Sequence, residues 1–480
     1  MTCTPLKPDF LATLEGIAAF EGLAEALAST EPEVSVRVNP RKGAIPAGAV
    51  TDGEVPWCPG GSYLADRPAF TFDPALHQGR YYVQDASSMI IYPIVSELSR
   101  RLGDGPLTLL DACAAPGGKT LCAIDALPSG SAVVANEFDF RRAEILKENI
   151  IKWGVPLTAI VSRGDTRRFR RLRQTFDIII VDAPCSGEGM MRKDATARSQ
   201  WTPALVAECA ARQREILNNV WPALRPGGYL VYSTCTFNTE EDEHIVSAFI
   251  AENDALPVSV ALDCALPGVA GAIEPGVEAL RFLPGRVRGE GLFVSVMQKP
   301  GDQAGTDTES GKSDKKNKGK NKGKNKGKNN GSGAVPCARE TAAWLADGGA
   351  ETDLVMRGDT IYGIPKPYTA LYQALDRELD IIHAGTEIAT VKGRDAIPAH
   401  ALALSPMLSA DAFARVEIDR DTTLKYLRRD AITLPEGTPR GYILLTHDNV
   451  PLGFVKNLGN RSNNLYPAPW RILSAIPREE

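Results

Sequence analysis

"FDIIIVDAPCSGEG", residues 176–189, carries four consecutive aliphatic residues into an aspartate, Asp182, and then sets Cys185 behind a proline. A short run that is apolar on both faces fits a strand covered on both sides, as in a parallel sheet. Four other runs repeat the pattern: "LTLLDA" (107–112), "SAVVANE" (131–137), "LTAIVSRGD" (157–165) and "GYLVYSTC" (228–235). Helical stretches separate them, such as "DFRRAEILKENIIKWG" (139–154) and "TPALVAECAARQREILNNVWPAL" (202–224). Strands alternating with helices predict an α/β fold built on a parallel sheet.

The chain has 480 residues, 43% of them hydrophobic, which is too long for one core and predicts two or three domains. Its first residues lack a basic stretch followed by an apolar run, and nowhere do about 18 apolar residues stand together. A cytoplasmic protein without a membrane segment is expected. Nine cysteines, odd in number and without a C-x-x-C pair, point away from a disulfide framework and from a structural metal site. Thiols in a reducing compartment stay available as nucleophiles.

The net charge of −5 is unevenly spread. Residues 312–330, "KSDKKNKGKNKGKNKGKNN", hold nine lysines against one aspartate. Glycine and asparagine at that density cannot build a core, so a disordered linker is expected over 301–335, either a solvated spacer or a tether attracted to phosphate backbones. It divides the chain into an N-terminal domain (1–76), a core (77–300) and a C-terminal region (336–480). In the first, a helix is expected across "DFLATLEGIAAFEGLAEALAS" (9–29) and a strand in "EVSVRVNPRKG" (33–43). In the last, "GYILLTHDNVPLGFV" (441–455) reads as a hairpin. The basic and aromatic residues of "KNLGNRSNNLYPAPWRI" (456–472) suit either RNA stacking or the core of a small β domain.

Chemistry concentrates at the strand ends. "DACAAPGGKT" (111–120) is a small-residue loop opening a helix, and Gly117 and Gly118 let a ligand approach the backbone. It is not a P-loop, since that motif needs glycine where Cys113 stands. Glu137 ends the next run, where an acid can accept both hydroxyls of a ribose, so a nucleoside-containing cofactor is expected. Asp165 and Asp182 end the following two. Each acid alone reads as a helix cap or surface charge; three at successive strand ends beside a glycine loop read as one rim. Cys185 and Cys235 follow the fourth and fifth strands and fall on the same rim, whereas Cys122, Cys209 and Cys264 read as small hydrophobes.

Methyl transfer to carbon 5 of cytosine needs this equipment. The carbon becomes nucleophilic only after a thiolate adds to carbon 6; Asp182 can hydrogen-bond or protonate nitrogen 3, and expulsion of the thiol gives a second cysteine a role. "DACAAPGGKT", "VDAPCSGEGMMRKD" (181–194) and "LRPGGYLVYSTCTFNTEEDE" (224–243) resemble, nearly word for word, the motifs of the S-adenosylmethionine-dependent RNA cytosine-5 methyltransferases of the RsmB/NOP type. "HQGRYYVQDASSM" (77–89) and "RFLPGRVRGEGLFVSVMQK" (281–299) resemble the flanking segments of that family.

The resemblance implies a Rossmann-like methyltransferase core. It implies Cys235 as the covalent nucleophile and Cys185 as the residue assisting release, with Asp182 beside them. S-adenosyl-L-methionine would be held by Cys113, Ala114, Ala115, Pro116, Gly117, Gly118 and Lys119, with Glu137, Asp165 and Asp182. "GYILLTHDNVPLGFVKNLGN" (441–460) with "LYP" resembles the PUA-like RNA-binding extension of the family's small-subunit ribosomal RNA members, placing that module at about 405–480. The expected partner is ribosomal RNA, in particular 16S RNA or the small subunit, met by a monomer through a basic groove. The arginine cluster "RGDTRRFRRLR" (163–173) reads equally as part of that groove or as a solvated face. Transfer RNA is the alternative substrate, and a non-catalytic assembly factor is the alternative of another class.

Overall fold

The computed structural model describes residues 5–103, 105–155, 158–301 and 335–475, so the lysine-rich segment lies outside the described residues. The helix expected over 9–29 is broken into Pro8–Leu14, the 3-10 turn Ala18–Phe20 and Leu23–Ser29. Gly16 and Gly22 separate the pieces with φ of +76° and +78°, a left-handed backbone that no helix continues through. Breaking there turns Phe10, Phe20 and Leu27 onto Trp201, Met191 and Phe237 of the core.

The N-terminal sheet contains β1 (Val34–Val38), β2 (Thr51–Glu54), β3 (Gly61–Leu64) and β4 (Tyr81–Val83) in the order β2-β3-β1-β4. Because β4 pairs with β1, the expected boundary at residue 76 falls inside this sheet.

The core has β5 (Thr108–Asp111), β6 (Ala132–Glu137), β7 (Thr158–Arg163), β8 (Phe176–Asp182) and β9 (Leu224–Thr234). Then come β10 (Leu256–Pro257), β11 (Ala279–Phe282) and β12 (Leu292–Gln298). β7-β6-β5-β8-β9 run parallel, so their C-terminal ends form one rim, and the order reverses between β5 and β8. Ligands of open α/β sheets bind outside such a reversal. Successive residues serve opposite faces: Leu109, Val133, Ile178 and Ile180 enter one apolar cluster, and Leu110, Val134, Ile179 and Val181 enter the other. This is why the runs read as continuously apolar rather than alternating. The α/β class and Rossmann-like core are as the sequence predicts.

The C-terminal region adds β13 (Thr352–Arg357), β14 (Thr360–Pro365), β15 (Asp380–Ala384), β16 (Thr386–Lys392) and β17 (Asp395–Pro398). β15 leaves its neighbours to pair antiparallel with β7, covering the edge of the core sheet. β18 (Ala414–Glu417), β19 (Gly441–His447), β20 (Val450–Asn457) and β21 (Ser462–Asn464) form the last sheet. The expected hairpin is β19–β20, turning on Asp448 and Asn449 with φ of 52° and 61°, the left-handed pair that a two-residue turn requires. No helix among the described residues is long and apolar enough to cross a membrane.

The segment leading into β4 meets the C-terminal region at a seam. Gln78 Nε2 donates to the His447 and Val450 carbonyls at 2.8 and 2.9 Å, and the Tyr466 hydroxyl lies 3.3 Å from His77 Nδ1. His400 packs edge-on against Tyr466 and Trp470. Burial, and then the nearby Lys152 charge, depress both His77 and His400 to about 3. Between that value and the unfolded pKa of about 6.5 the unfolded chain binds the extra protons, so stability is full above this window and is lost as pH falls through it. At pH 5 each histidine is expected to cost about 2 kcal/mol relative to neutrality. Urea melts should therefore shift to lower midpoints from pH 7 to pH 5, and His400→Phe should remove part of that slope.

Arg281 of β11 is fully buried between Asp242 and Glu243, at 3.0 and 2.6 Å, and donates to the Phe237 carbonyl at 2.8 Å. Arg281→Met would leave two buried carboxylates facing each other without a cation, a loss of about 3–5 kcal/mol that a denaturant titration would read.

Candidate active site

β5 ends at Asp111, and the chain turns through residues 112–117 before the helix Gly118–Ala126. Gly117 starts that helix at φ +117°, and a Cβ on Gly118 would press on Tyr82 and Gln84 at 3.3 and 3.4 Å. The close approach predicted for the glycines is thus used first by the protein's own N-terminal segment.

An open cleft of about 160 Å³ lies here, lined by Cys113, Ala114, Ala115, Pro116, Gly118, Lys119 and Asp182. Tyr82, Val83, Gln84, Asp85, Ser88 and Asp111 complete it, and none of these six is among the site residues expected from the sequence. Asp111 is wholly buried; its Oδ2 accepts from the Thr120 hydroxyl at 2.6 Å, while Oδ1 has no partner within the protein. Burial raises its pKa to about 7. Burial likewise pushes the Cys113 thiol well up, which keeps it protonated and inert.

The other two acids behave differently from each other. Glu137, 5% exposed, ends β6 with Oε1 accepting from the Asp139 amide at 3.0 Å and Oε2 lying 3.8 Å from the Arg142 guanidinium. Asp165 caps the 3-10 turn Thr166–Arg171, accepting from the Arg167 amide at 2.8 Å and pairing with its guanidinium at 2.6 Å. Its hydrogen bonds to the Arg167 side chain come first in holding its pKa below the usual carboxylate value. The arginine cluster is similarly occupied in part: Arg163 pairs with Asp380 at 2.5 Å and Arg171 with Glu378 at 3.2 Å, fastening the C-terminal region to the core.

Asp182 sits at the tip of β8 with Lys119 Nζ 2.9 Å from Oδ2 and the Ser233 hydroxyl donating to Oδ1 at 2.8 Å. Burial works against the Lys119 charge, but Asp182 more than restores it, and the ammonium stays above its ordinary pKa. Cys185 and Cys235 lie side by side, Sγ to Sγ 2.8 Å, both as free thiols, and the Cys235 amide points at Cys185 Sγ at 3.3 Å. The Cys185 thiol is pushed well up, first by its hydrogen bond to Cys235 and then by burial.

Buried polar groups brace both cysteine loops. Glu241 accepts from the Ser186 amide and from Gln213 Nε2 at 3.0 and 2.8 Å, and Glu188 bridges the two loops. Farther along, Arg192 pairs with Glu290 at 2.8 Å with each side chain 4% exposed, tying the loop after Cys185 to the segment before β12. The signal available for Glu188 was an acid among small residues three positions after Cys185, whereas Glu241 sits in a run of four acids with nothing local to single it out.

Residues 104–298 match the family described as 16S rRNA methyltransferase RsmB/F, residues 7–86 the N-terminal domain of 16S rRNA methyltransferase RsmF, and residues 413–472 the methyltransferase RsmF PUA domain. The Ribosomal RNA small subunit methyltransferase F of Erwinia tasmaniensis is 30% identical over 430 residues, covering 86% of this chain and 84% of that protein. Two solved structures share the fold. The crystal structure titled PH0851 has a TM-score of 0.53 and 22% identity over 61% of this chain and 66% of its own. That of NSun6 from Pyrococcus horikoshii with SFG has a TM-score of 0.50 and 19% identity over 63% and 99%. With all three segments matched in order along one chain, and a full-length relative aligned across them, the chain belongs to the 16S rRNA methyltransferase RsmB/F family and is a methyltransferase with a C-terminal PUA domain.

Proposed function

We propose that this enzyme methylates carbon 5 of a cytidine in small-subunit ribosomal RNA through a covalent bond between Cys235 and the base. The observation that carries the proposal is the contact of two free thiols at 2.8 Å beside the Lys119–Asp182 pair. A methyltransferase acting on a nitrogen or oxygen that is already nucleophilic has no use for two adjacent thiols.

The cleft fits S-adenosylmethionine. Small residues from Ala114 to Gly118 line the cleft beside the N-terminus of a helix, the buried Asp111 Oδ1 has no partner within the protein, and Glu137 ends the neighbouring strand, where an acid can accept ribose hydroxyls. Cys113 through Lys119, with Glu137 and Asp182, would hold the cofactor; Asp165 would act from its capping position at the edge. When bound, the cofactor supplies an electrophilic methyl group.

The protein's own part is to make carbon 5 reactive and then to reverse the addition. Cys235 adds as thiolate to carbon 6, forming the Sγ–C6 bond and pushing an electron pair through the ring to nitrogen 3, where a proton shared with Asp182 neutralises it. Lys119 steadies the Asp182 charge between turnovers. Before addition the two sulfurs share one hydrogen bond at 2.8 Å, and the Cys235 proton passes to water as the thiolate forms. Once Cys235 becomes a thioether it no longer shares that hydrogen bond, and Cys185 gives its own proton to water. As thiolate, Cys185 accepts the carbon 5 proton while nitrogen 3 returns its proton to Asp182; the C5–C6 double bond re-forms, the C6–Sγ bond breaks and its electron pair leaves with Cys235. The base must be unpaired or flipped to reach these groups. The PUA domain and the N-terminal domain would bind the surrounding RNA, and the names of the relatives favour the small-subunit RNA over transfer RNA as the target.

On denaturing gels with S-adenosylmethionine and cellular RNA, Cys185→Ala should accumulate a shifted protein–RNA adduct and Cys235→Ala should give none; the opposite pattern would exchange their roles. Bisulfite sequencing of the ribosomal RNA from a strain lacking the gene should lose one protected cytidine, and an unchanged map would reject this substrate. Asp182→Asn should lower kcat by about 10²-fold or more while the variant remains folded.

A further inference from the structure

Glu188 is 1% exposed and stands three residues after Cys185, yet its carboxylate is spent almost entirely on the loop that carries Cys235. Oε2 accepts from the Thr236 hydroxyl at 2.6 Å, the Phe237 amide at 2.7 Å and the Asn238 amide at 3.0 Å. Oε1 accepts from Asn238 Nδ2 and from Trp201 Nε1, each at 2.8 Å. Next to it, the Gly189 amide donates to the carbonyl of Cys235 itself at 2.8 Å. A Cβ at Gly189 would stand 2.9 Å from that oxygen and 2.8 Å from the Gly291 carbonyl, so the two loops are in direct backbone contact.

We infer that Glu188 is the positioning residue that holds Cys185 in register with Cys235 for product release; the inference rests on the cytosine-5 chemistry proposed above. No cation is needed to explain this acid, because its partners are neutral donors. What the position demands is a side chain with two acceptor oxygens and no hydrogen. Glutamine cannot meet that demand in either orientation. With its NH2 group at the Oε2 place it faces the Phe237 and Asn238 amides, and at the Oε1 place it faces the indole N–H of Trp201, all of which can only donate. Aspartate is one methylene too short to span both loops. A buried donor left facing another donor loses its bond outright, so Glu188→Gln forces the loops apart where the thiols are set.

The Cys235 loop keeps independent anchors in this variant, since Arg281 donates to the Phe237 carbonyl at 2.8 Å and the Thr234 hydroxyl bonds Asp242 at 2.5 Å. Glu188 and Gly189 join the Cys185 loop to that loop on one side, and the Ser186 amide, donating to Glu241 at 3.0 Å, joins them on the other; only the first link is lost in Glu188→Gln. Addition should therefore survive better than release. Glu188→Gln is expected to resemble Cys185→Ala: it accumulates the RNA adduct above wild type, kcat falls on the order of 10²-fold, and cofactor affinity by calorimetry is little changed because the cleft is untouched. In a Cys185→Ala background, Glu188→Gln should add nothing to the trapped fraction. Trp201→Phe removes one donor while keeping the acid, and should move the trapped fraction the same way by less; it also serves if Glu188→Gln does not fold.

Loss of methyl transfer without adduct in both Glu188→Gln and Trp201→Phe, while Cys185→Ala still traps, would overturn the inference and leave Glu188 a purely structural acid. Absence of adduct from Cys185→Ala would instead defeat the covalent chemistry itself, and the inference with it.

Discussion

The pairing of β8 with β9, which sets Asp182 opposite Ser233, is the constraint on which the site depends. The register continues one step beyond the strand, where the Ala183 amide donates to the Ser233 carbonyl at 2.8 Å. Two loops therefore leave the sheet at the same height and in the same direction. Cys185 is reached three residues after Asp182 and Cys235 two after Ser233, and the thiols meet. A slip of this pairing by one residue would turn every side chain of one strand to the other face and separate the sulfurs.

Beyond the strand ends, regular backbone pairing stops, and buried polar groups take over its role. Glu188, Glu241 and the Arg281–Asp242–Glu243 cluster fix the two loops through hydrogen bonds whose donors and acceptors are all specified. Desolvating so many charged groups is costly, and well-packed apolar residues would serve stability as well or better. The gain is geometric, since an acceptor with five donors admits few other loop conformations.

The C-terminal half of the chain works on the opposite edge of the sheet. β15 covers the exposed side of β7, and Asp380 and Glu378 draw in Arg163 and Arg171. An arginine cluster that read equally as RNA contact or as a solvated face is thereby used in part to hold the protein to itself. At the seam beyond, His77 and His400 stay neutral because they are buried near Lys152, which makes the junction between the segment before β4 and the C-terminal region sensitive to acid.

Much of this was legible in the order of residues. Runs such as Ile178–Val181 are apolar at every position because both faces of a parallel strand are covered, and that is a local property of sequence. Acids and cysteines at the ends of those runs had to fall on one rim once the strands were parallel. Local pattern was insufficient where glycines intervened: Gly16 and Gly22 interrupt an apolar periodicity that otherwise suits a single helix. It was also insufficient for the fate of individual charges. Asp165 and Glu137 look alike in sequence, yet one became a helix cap paired to Arg167 and the other a buried strand end. The sequence by itself determined the sheet, its functional rim and the residues carried there. Only the tertiary structure decided which of them touch, and which acids brace the loops, because a buried acceptor such as Glu188 is satisfied by donors about fifty residues away, and no local pattern records that distance.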